Sequence, residues 1–261
     1  MIKVLNFITL GFLSFASVGS FINAGEIKVG ATPLPHAKIL EQIVPDLKKE
    51  GVDLKIVTFT DYVMPNLSLE DKSIDANFMQ HLPYLEKINK DKNLHLTSIA
   101  QIHIEPIGAY SKKIKDIKDL PEKAVVAIPA DTSNGARALI LLHNNGIITL
   151  QDPKNLSSTK SNIKKNPKKI EIKLVEAALL TKALDDVDLA VINGNFAMQI
   201  GLSSKDALLL EDSRSPYANI LAVRKGDESK EDIVKLKNAL QSQKVKDYIN
   251  NTYHGEILPV F

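Results

Sequence analysis

The sequence contains no cysteine and no tryptophan, and only 5% of its 261 residues are aromatic. The absence of cysteine excludes disulfide bonds, thiolate metal ligands, a cysteine nucleophile and a lipid-modified N-terminal cysteine. The formal net charge of +2 is too small to indicate a nucleic-acid or anionic-membrane partner. With 44% hydrophobic residues, the chain has a globular composition and is long enough for two modest domains.

Signatures of metal and catalytic sites are also missing. The six histidines show no paired ligand spacing, and the acidic turn Asp185, Asp186, Asp188 lacks the spacing of a calcium loop. No phosphate-binding loop, GxSxG or HExxH motif occurs. We therefore expect a protein that is not an enzyme and that holds no metal or cofactor.

Residues 1–24 have the parts of a secretory signal peptide. Lys3 precedes an apolar run over 4–18, and Ala24 supplies a small residue at the cleavage position. The run is short for a membrane span, and no stop-transfer charges follow it. We expect an exported chain that begins near Gly25. The alternative is an uncleaved signal that anchors the protein in the membrane.

Hydrophobic patterning predicts strands that alternate with helices. The predicted strands are 26–32, 53–59, 74–78, 96–104, 107–110, 124–129, 170–175, 189–193 and 219–224. The predicted helices are 36–51, one capped by Asp61, 135–145, 176–185, 230–241 and 245–253. Pro45 should kink or divide the first helix. This alternation is typical of a parallel or mixed sheet covered on both faces.

The stretch 75–86, DANFMQHLPYLE, carries Gln80, His81 and Tyr84 in what we expect to be a polar loop before a helix that begins near Pro83. Clefts that hold small polar molecules combine aromatic walls with a few polar groups. The stretch therefore indicates a binding cleft. The alternative is a tyrosine and a histidine half-buried under a loop.

Arg137 lies just inside a helix predicted to follow the capping cluster DTSN at 131–134. Helix N-termini attract anions, and a guanidinium matches a carboxylate. Because an arginine there opposes the helix dipole, we expect it to face an anion and to contribute little to stability; the alternative is a solvated side chain. Asn193 ends a predicted strand, Asn219 begins one and Tyr62 follows one. Side chains at strand ends can reach into a crevice, so all three are candidate site residues. The alternative for the two asparagines is that they are ordinary turn residues.

Seven segments, in order and with matching spacing, resemble the methionine-binding proteins of ABC importers, the NlpA or MetQ family. They are VGATPLPHAKILE (29–41), TDYVMPN (60–66), DANFMQHLPYLE (75–86), HIEPIGAYS (103–111), VAIPADTSNGARALILL (126–142), LDDVDLAVINGNFA (184–197) and SPYANILAVR (215–224). The resemblance implies an α/β fold of the two-lobed periplasmic substrate-binding type, with two crossover strands and a ligand cleft between the lobes. It places lobe I at 25–108 with 219–261 and lobe II at 109–218.

The resemblance also implies a ligand site. Its residues would be Tyr62, Met79, His81, Tyr84, Arg137, Asn193 and Asn219. The arginine would meet the ligand's carboxylate, the asparagines its polar end, and the rings its side chain. Two departures from the family matter: Met79 stands where relatives usually carry an aromatic residue, and the lipid-anchoring cysteine is missing. The second departure implies a freely soluble periplasmic protein.

The function implied is capture of methionine, most of all L-methionine, and its delivery to an ABC transporter permease and ATPase complex at the inner membrane. D-methionine, a methionine-containing dipeptide or another small amino acid are alternative ligands. A surface adhesin with a vestigial cleft is a second hypothesis, and a periplasmic enzyme acting on an amino acid derivative is a third. We expect a monomer with no cofactor and no nucleic-acid partner.

Overall fold

The computed structural model describes residues 25–212 and 215–261, so the predicted signal peptide lies outside the described residues. The strands are β1 (Gly25–Ala31), β2 (Val52–Thr58), β3 (Ala76–His81), β4 (Leu96–Ile104), β5 (Gly108–Tyr110), β6 (Val125–Pro129), β7 (Thr149–Leu150), β8 (Ile163–Lys165), β9 (Glu171–Val175), β10 (Leu189–Ile192), β11 (Leu209–Leu210), β12 (Ala218–Arg224) and β13 (Leu258–Pro259). The helices are α1 (Lys38–Lys49), α2 (Met64–Glu70), α3 (Leu82–Lys92), α4 (Thr132–Asn144), α5 (Leu180–Ala183), α6 (Gly194–Gln199), α7 (Glu231–Leu240) and α8 (Gln243–Tyr253). None of these described helices is long and apolar enough to cross a membrane.

The first sheet has six strands in the order β13-β4-β12-β3-β1-β2. Strand β1 pairs in parallel with β2 and β3, whereas β12 runs antiparallel to β3 and β4. On one face Leu221 and Val223 pack in the core formed with α1, α7 and α8. On the other face Ile220 and Ala222 pack with residues of α2 and α3. The mixed sheet is thus covered on both faces, as the alternation of elements predicted.

The second sheet has five strands in the order β11-β5-β10-β6-β9. Strand β6 lies parallel to β9 and β10, and β5 is antiparallel to β10 and β11. Helix α4 packs on one face through Leu139 and Leu142. Leu180 of α5 and Phe196 of α6 belong to the separate core on the other face. Strands β7 and β8 pair outside this sheet.

The chain passes from one sheet to the other twice. Residues 105–107 lead from β4 to β5, and the chain returns between β11 and β12. The two crossovers touch, because the backbone N–H of Glu211 donates to the carbonyl of Ile107 at 3.0 Å. The two-lobed α/β fold with two crossovers is confirmed, whereas the exact residue limits of the lobes stay a prediction.

One local prediction is wrong, and a second is wrong in part. The polar loop expected between the predicted strand 74–78 and the helix near Pro83 does not form, because β3 runs to His81 and α3 begins at Leu82. All six residues of β3 are buried, so the strand lacks the alternation that marks a half-exposed strand. The prediction that Pro45 divides the first helix is wrong, because α1 is continuous from Lys38 to Lys49, whereas a kink at Pro45 stays a prediction. Because proline has no backbone N–H, the carbonyl of Glu41, four residues earlier, lacks its helical hydrogen bond. Glu41 is exposed, so water can bond to this carbonyl.

Candidate functional site

A cavity lies where β3, α4, α6 and β12 meet the first crossover. All seven predicted site residues line it: Tyr62, Met79, His81, Tyr84, Arg137, Asn193 and Asn219. Six residues that the sequence did not single out as ligand contacts also line it: His36, Gln80, Glu105, Asn134, Gly194 and Asn195. The fold therefore brings the predicted residues together, and their contact with a ligand stays a prediction.

Two tyrosines form an aromatic wall of this cavity. Asp61 Oδ1 accepts the N–H groups of Val63 and of Met64, the first residue of α2, and Tyr62 lies in the bend before that helix. The Tyr62 ring lies 5.7 Å from that of Tyr84, centre to centre. Its hydroxyl donates to Asn195 Oδ1 at 2.5 Å. Burial raises the pKa of Tyr62 well above its ordinary value, so the hydroxyl stays a hydrogen-bond donor.

Gln80 supports this wall and is itself fully engaged. Its Oε1 accepts from Asn66 Nδ2 at 2.9 Å, and its Nε2 donates to Asn66 Oδ1 at 2.7 Å and Asn77 Oδ1 at 2.8 Å. Asn66 belongs to α2 and the other two residues to β3. The buried amides therefore fix α2 against the strand and give the cavity a rigid edge.

His81 has both ring nitrogens bonded within the protein. Nδ1 accepts the N–H of Tyr84 at 3.2 Å, so Nε2 carries the proton and donates to Asn134 Oδ1 at 3.0 Å. Burial, reinforced by the positive charge of Arg137, lowers the pKa of His81 to about 3. The neutral ring therefore joins the first lobe to α4 and offers the cavity a ring surface rather than a free N–H.

Asn134 is a central residue that the sequence indicated only as part of a helix cap. Its Oδ1 also accepts from Asn193 Nδ2 at 2.7 Å, while its Nδ2 donates to Asp131 Oδ1 at 3.0 Å. Asp131 in turn accepts the backbone N–H of Asn134 at 2.8 Å as the N-cap of α4. The capping cluster thus fixes Asn134 Oδ1, which accepts hydrogen bonds from both His81 and Asn193.

Two buried amide atoms at the cavity have no hydrogen-bond partner within the described residues. They are Asn193 Oδ1, an acceptor, and Asn195 Nδ2, a donor. Both asparagines are at least nine-tenths buried and line the cavity. A buried polar atom without a partner costs about 1–3 kcal/mol. A ligand that offers both an N–H donor and an acceptor oxygen would remove this cost.

Arg137 is not solvated, because its exposed fraction is 3%. Nε donates to Glu211 Oε1 at 2.9 Å, and Nη2 donates to Glu211 Oε2 and to the carbonyl of Glu105, the latter at 2.7 Å. The guanidinium carbon lies 4.5 Å from the ring centre of Tyr217. These contacts argue against the expectation that Arg137 contributes little to stability. Within residues 25–212 and 215–261, three of its five N–H donors are engaged, which leaves the Nη1 pair for an anion.

Glu105 is an ionised carboxylate beside the cavity. Its Oε1 accepts from His103 Nε2 at 2.7 Å, and His36 Nε2 lies 3.0 Å from the same oxygen. Burial alone would raise the pKa of Glu105, but the two imidazoles that face it together hold that pKa below its ordinary value. His36 Nε2 also lies 3.2 Å from Asn219 Oδ1. Because that oxygen is engaged, Asn219 presents its Nδ2 as a donor.

The same three residues, His36, His103 and Glu105, form a group among the described residues that could hold a metal ion, with ligand atoms within 4.8 Å of one another. Sequence spacing missed this pairing of histidines because the two lie on separate elements that only the fold brings together. All three are buried, and Glu105 Oε1 accepts from His103 Nε2 and lies 3.0 Å from His36 Nε2.

Two α/β lobes, two crossovers and a polar cavity between them define a two-lobed substrate-binding protein. The chain belongs to the NlpA lipoprotein family, whose model matches residues 27–261. It is 43% identical over 241 residues to the methionine-binding lipoprotein MetQ of Bacillus subtilis, across 90% of this chain and 88% of that protein. The resemblance found in the sequence is thereby confirmed.

Solved structures support the same assignment. A nutrient binding protein of Burkholderia cenocepacia bound to methionine is 41% identical, with a TM-score of 0.85 over 90% of this chain and 100% of that one. An ABC transporter periplasmic substrate-binding protein of Coxiella burnetii is 39% identical, with the same TM-score and coverage.

Proposed function

We propose that this protein binds methionine in the cavity between its lobes and delivers it to an ABC transporter. The observation that carries the proposal is the composition of that cavity, which Arg137, the ionised Glu105 and a pair of tyrosines all line. A free amino acid likewise combines an anion, a cation and a side chain. The methionine-binding relatives support the choice of side chain.

Donors and acceptors in the cavity suggest how a zwitterion is held. The free Nη1 donors of Arg137 and Nδ2 of Asn219 suit a carboxylate, because both are hydrogen-bond donors. The unpartnered Asn193 Oδ1 and the negative charge of Glu105 suit an α-ammonium group. A carboxylate left unpaired in such a closed space would be costly, so the cavity favours ligands that carry both charges.

The side chain of the ligand would lie against Tyr62, Tyr84 and Met79. A thioether gains about 0.3–1.5 kcal/mol from contact with an aromatic ring. One methylene in such a pocket changes binding by only about 1–3 kcal/mol. D-methionine, a methionine-containing dipeptide and other small amino acids therefore stay within the proposal as ligands to be compared.

The test is to identify what the protein carries. Protein purified without added amino acids is denatured, and the released ligand is identified by mass spectrometry. Ligand-free protein is then melted with L-methionine, D-methionine, glycyl-methionine and leucine. Methionine at a thousand times its dissociation constant should stabilise the fold by about 4 kcal/mol. No released ligand and no shift with any compound would favour the adhesin hypothesis. Turnover of a bound amino acid derivative would favour the enzyme.

We also propose that the chain acts as a monomer in the periplasm after cleavage near Gly25. Because the sequence has no cysteine, no cysteine-linked lipid can tether it. N-terminal sequencing of protein from a periplasmic extract tests the cleavage, and size-exclusion chromatography tests the oligomeric state. A retained Met1 on protein in the membrane fraction would favour the uncleaved anchor.

A further inference from the structure

We propose that Glu211 is a positioning residue for ligand capture, which holds Arg137 so that its free Nη1 edge meets the ligand's carboxylate. The inference rests on the proposed function and extends it to a residue that does not line the cavity. Glu211 follows β11 at the start of the second crossover, whereas Arg137 lies in the first turns of α4.

The geometry of the pair fixes both the place and the plane of the guanidinium. Nε and Nη2 of Arg137 donate to the two carboxylate oxygens of Glu211, with Nε to Oε1 at 2.9 Å. Two parallel hydrogen bonds specify orientation, which a single bond or a point charge does not. The pair is largely shielded from water, since the side chains are 3% and 15% exposed.

Both crossovers hold this arginine. Glu211 stands on the second crossover, and the first one contributes the Glu105 carbonyl that accepts from Nη2 at 2.7 Å. The two segments are joined directly, because Glu211 N–H donates to the Ile107 carbonyl. The carboxylate receptor is therefore built where the two crossovers meet.

Tyr217 completes the arrangement by covering one face of the guanidinium, 4.5 Å from ring centre to Cζ. With Nε and Nη2 engaged and one face covered, the Nη1 edge is what the described residues leave for the ligand. Without Glu211 the guanidinium gains two free donors and loses its fixed plane. Ligand binding would then have to order the Arg137 side chain, and this cost would weaken the affinity. Glu211 avoids the cost by holding the side chain in place before the ligand binds.

The test uses Glu211→Gln, which keeps the size of the side chain but replaces one acceptor oxygen with a donor amide. A matched control is Asp227→Asn. In that second arginine–carboxylate pair Arg224 Nε donates to Asp227 Oδ2 at 2.8 Å, and the carboxylate is also 15% exposed. Neither residue of the control pair lines the cavity. Calorimetry compares methionine with methioninol, which lacks the carboxylate, at a temperature where all proteins are folded.

Glu211→Gln should weaken methionine binding about 10–100-fold, as loss of a group that orients a binding residue typically does. Methioninol binding should change by less than about threefold, because its hydroxyl makes no charge pair with Arg137. Asp227→Asn should lower the melting temperature and leave both dissociation constants at their wild-type values. The ratio of methionine affinity to methioninol affinity should therefore fall in Glu211→Gln. A merely structural role of Glu211 would not change this ratio.

If Glu211→Gln does not fold, Glu211→Asp replaces it, since aspartate keeps the charge but is too short to reach both nitrogens. In Glu211→Asp the ratio of methionine affinity to methioninol affinity should fall by less than in Glu211→Gln. A wild-type ratio in either variant, or tighter methionine binding, would overturn the positioning role alone. A wild-type protein that binds neither compound would overturn the proposed function together with this inference.

Discussion

Replacing Arg137 with alanine should destabilise the ligand-free protein as well as weaken methionine binding. The substitution removes the bidentate pair with Glu211, the bond to the Glu105 carbonyl and the contact with the Tyr217 ring. It also leaves the Glu211 carboxylate largely buried without a cation. Removing one partner of a buried pair costs about 3–5 kcal/mol. Because Glu211 keeps 15% exposure, we expect about 3 kcal/mol, toward the lower end of that range.

Urea unfolding of the ligand-free proteins measures this loss. Arg137→Lys should recover only part of it, because lysine supplies a charge without the planar fork. The double variant Arg137→Ala with Glu211→Ala should be less destabilised than the sum of the two single variants, since removing both partners leaves no buried charge behind. An Arg137→Ala protein within about 0.5 kcal/mol of wild type, the range of ordinary surface substitutions, would refute the reasoning.

Three further predictions concern the cavity wall. His81 takes up its proton near pH 6.5 when unfolded but near pH 3 when folded. Its contribution to stability is therefore complete above pH 6.5 and falls as the pH drops toward 3, by about 2 kcal/mol between pH 8 and pH 5. Denaturant unfolding of wild type and His81→Gln at pH 8 and pH 5 measures this. The decrease in the free energy of unfolding should be about 2 kcal/mol smaller in the variant, and an equal decrease in both proteins would contradict the lowered pKa of His81. Met79→Phe should sharpen discrimination among methionine, norleucine and leucine, because methionine adapts its shape to different ligands; equal affinity ratios in both proteins would remove Met79 from selectivity. Tyr62→Phe leaves Asn195 Oδ1 without its donor and should cost about 1–3 kcal/mol of stability, so an unchanged melting temperature would exclude that bond.

Local sequence patterns determined most of the elements. The apolar stripe of 36–51 becomes α1, since Ile39, Ile43 and Leu47 are all buried on one side of the helix. The cluster DTSN becomes the start of α4, because a capping side chain acts on backbone atoms only a few residues away. Resemblance to a known family then indicated which residues would meet at the cavity, and the fold places all seven there.

Tertiary structure decided what those residues can do. Gln80 and His81 looked like loop residues because their partners, Asn66 and Asn134, lie outside the local stretch of sequence. In the sequence Arg137 has only the unfavourable helix dipole beside it. Its partner Glu211 belongs to the second crossover, far away in the chain. Electrostatic and hydrogen-bond partners act through space at about 3 Å. A one-dimensional pattern shows which side chains carry charge, whereas only the folded chain brings opposite charges within that distance.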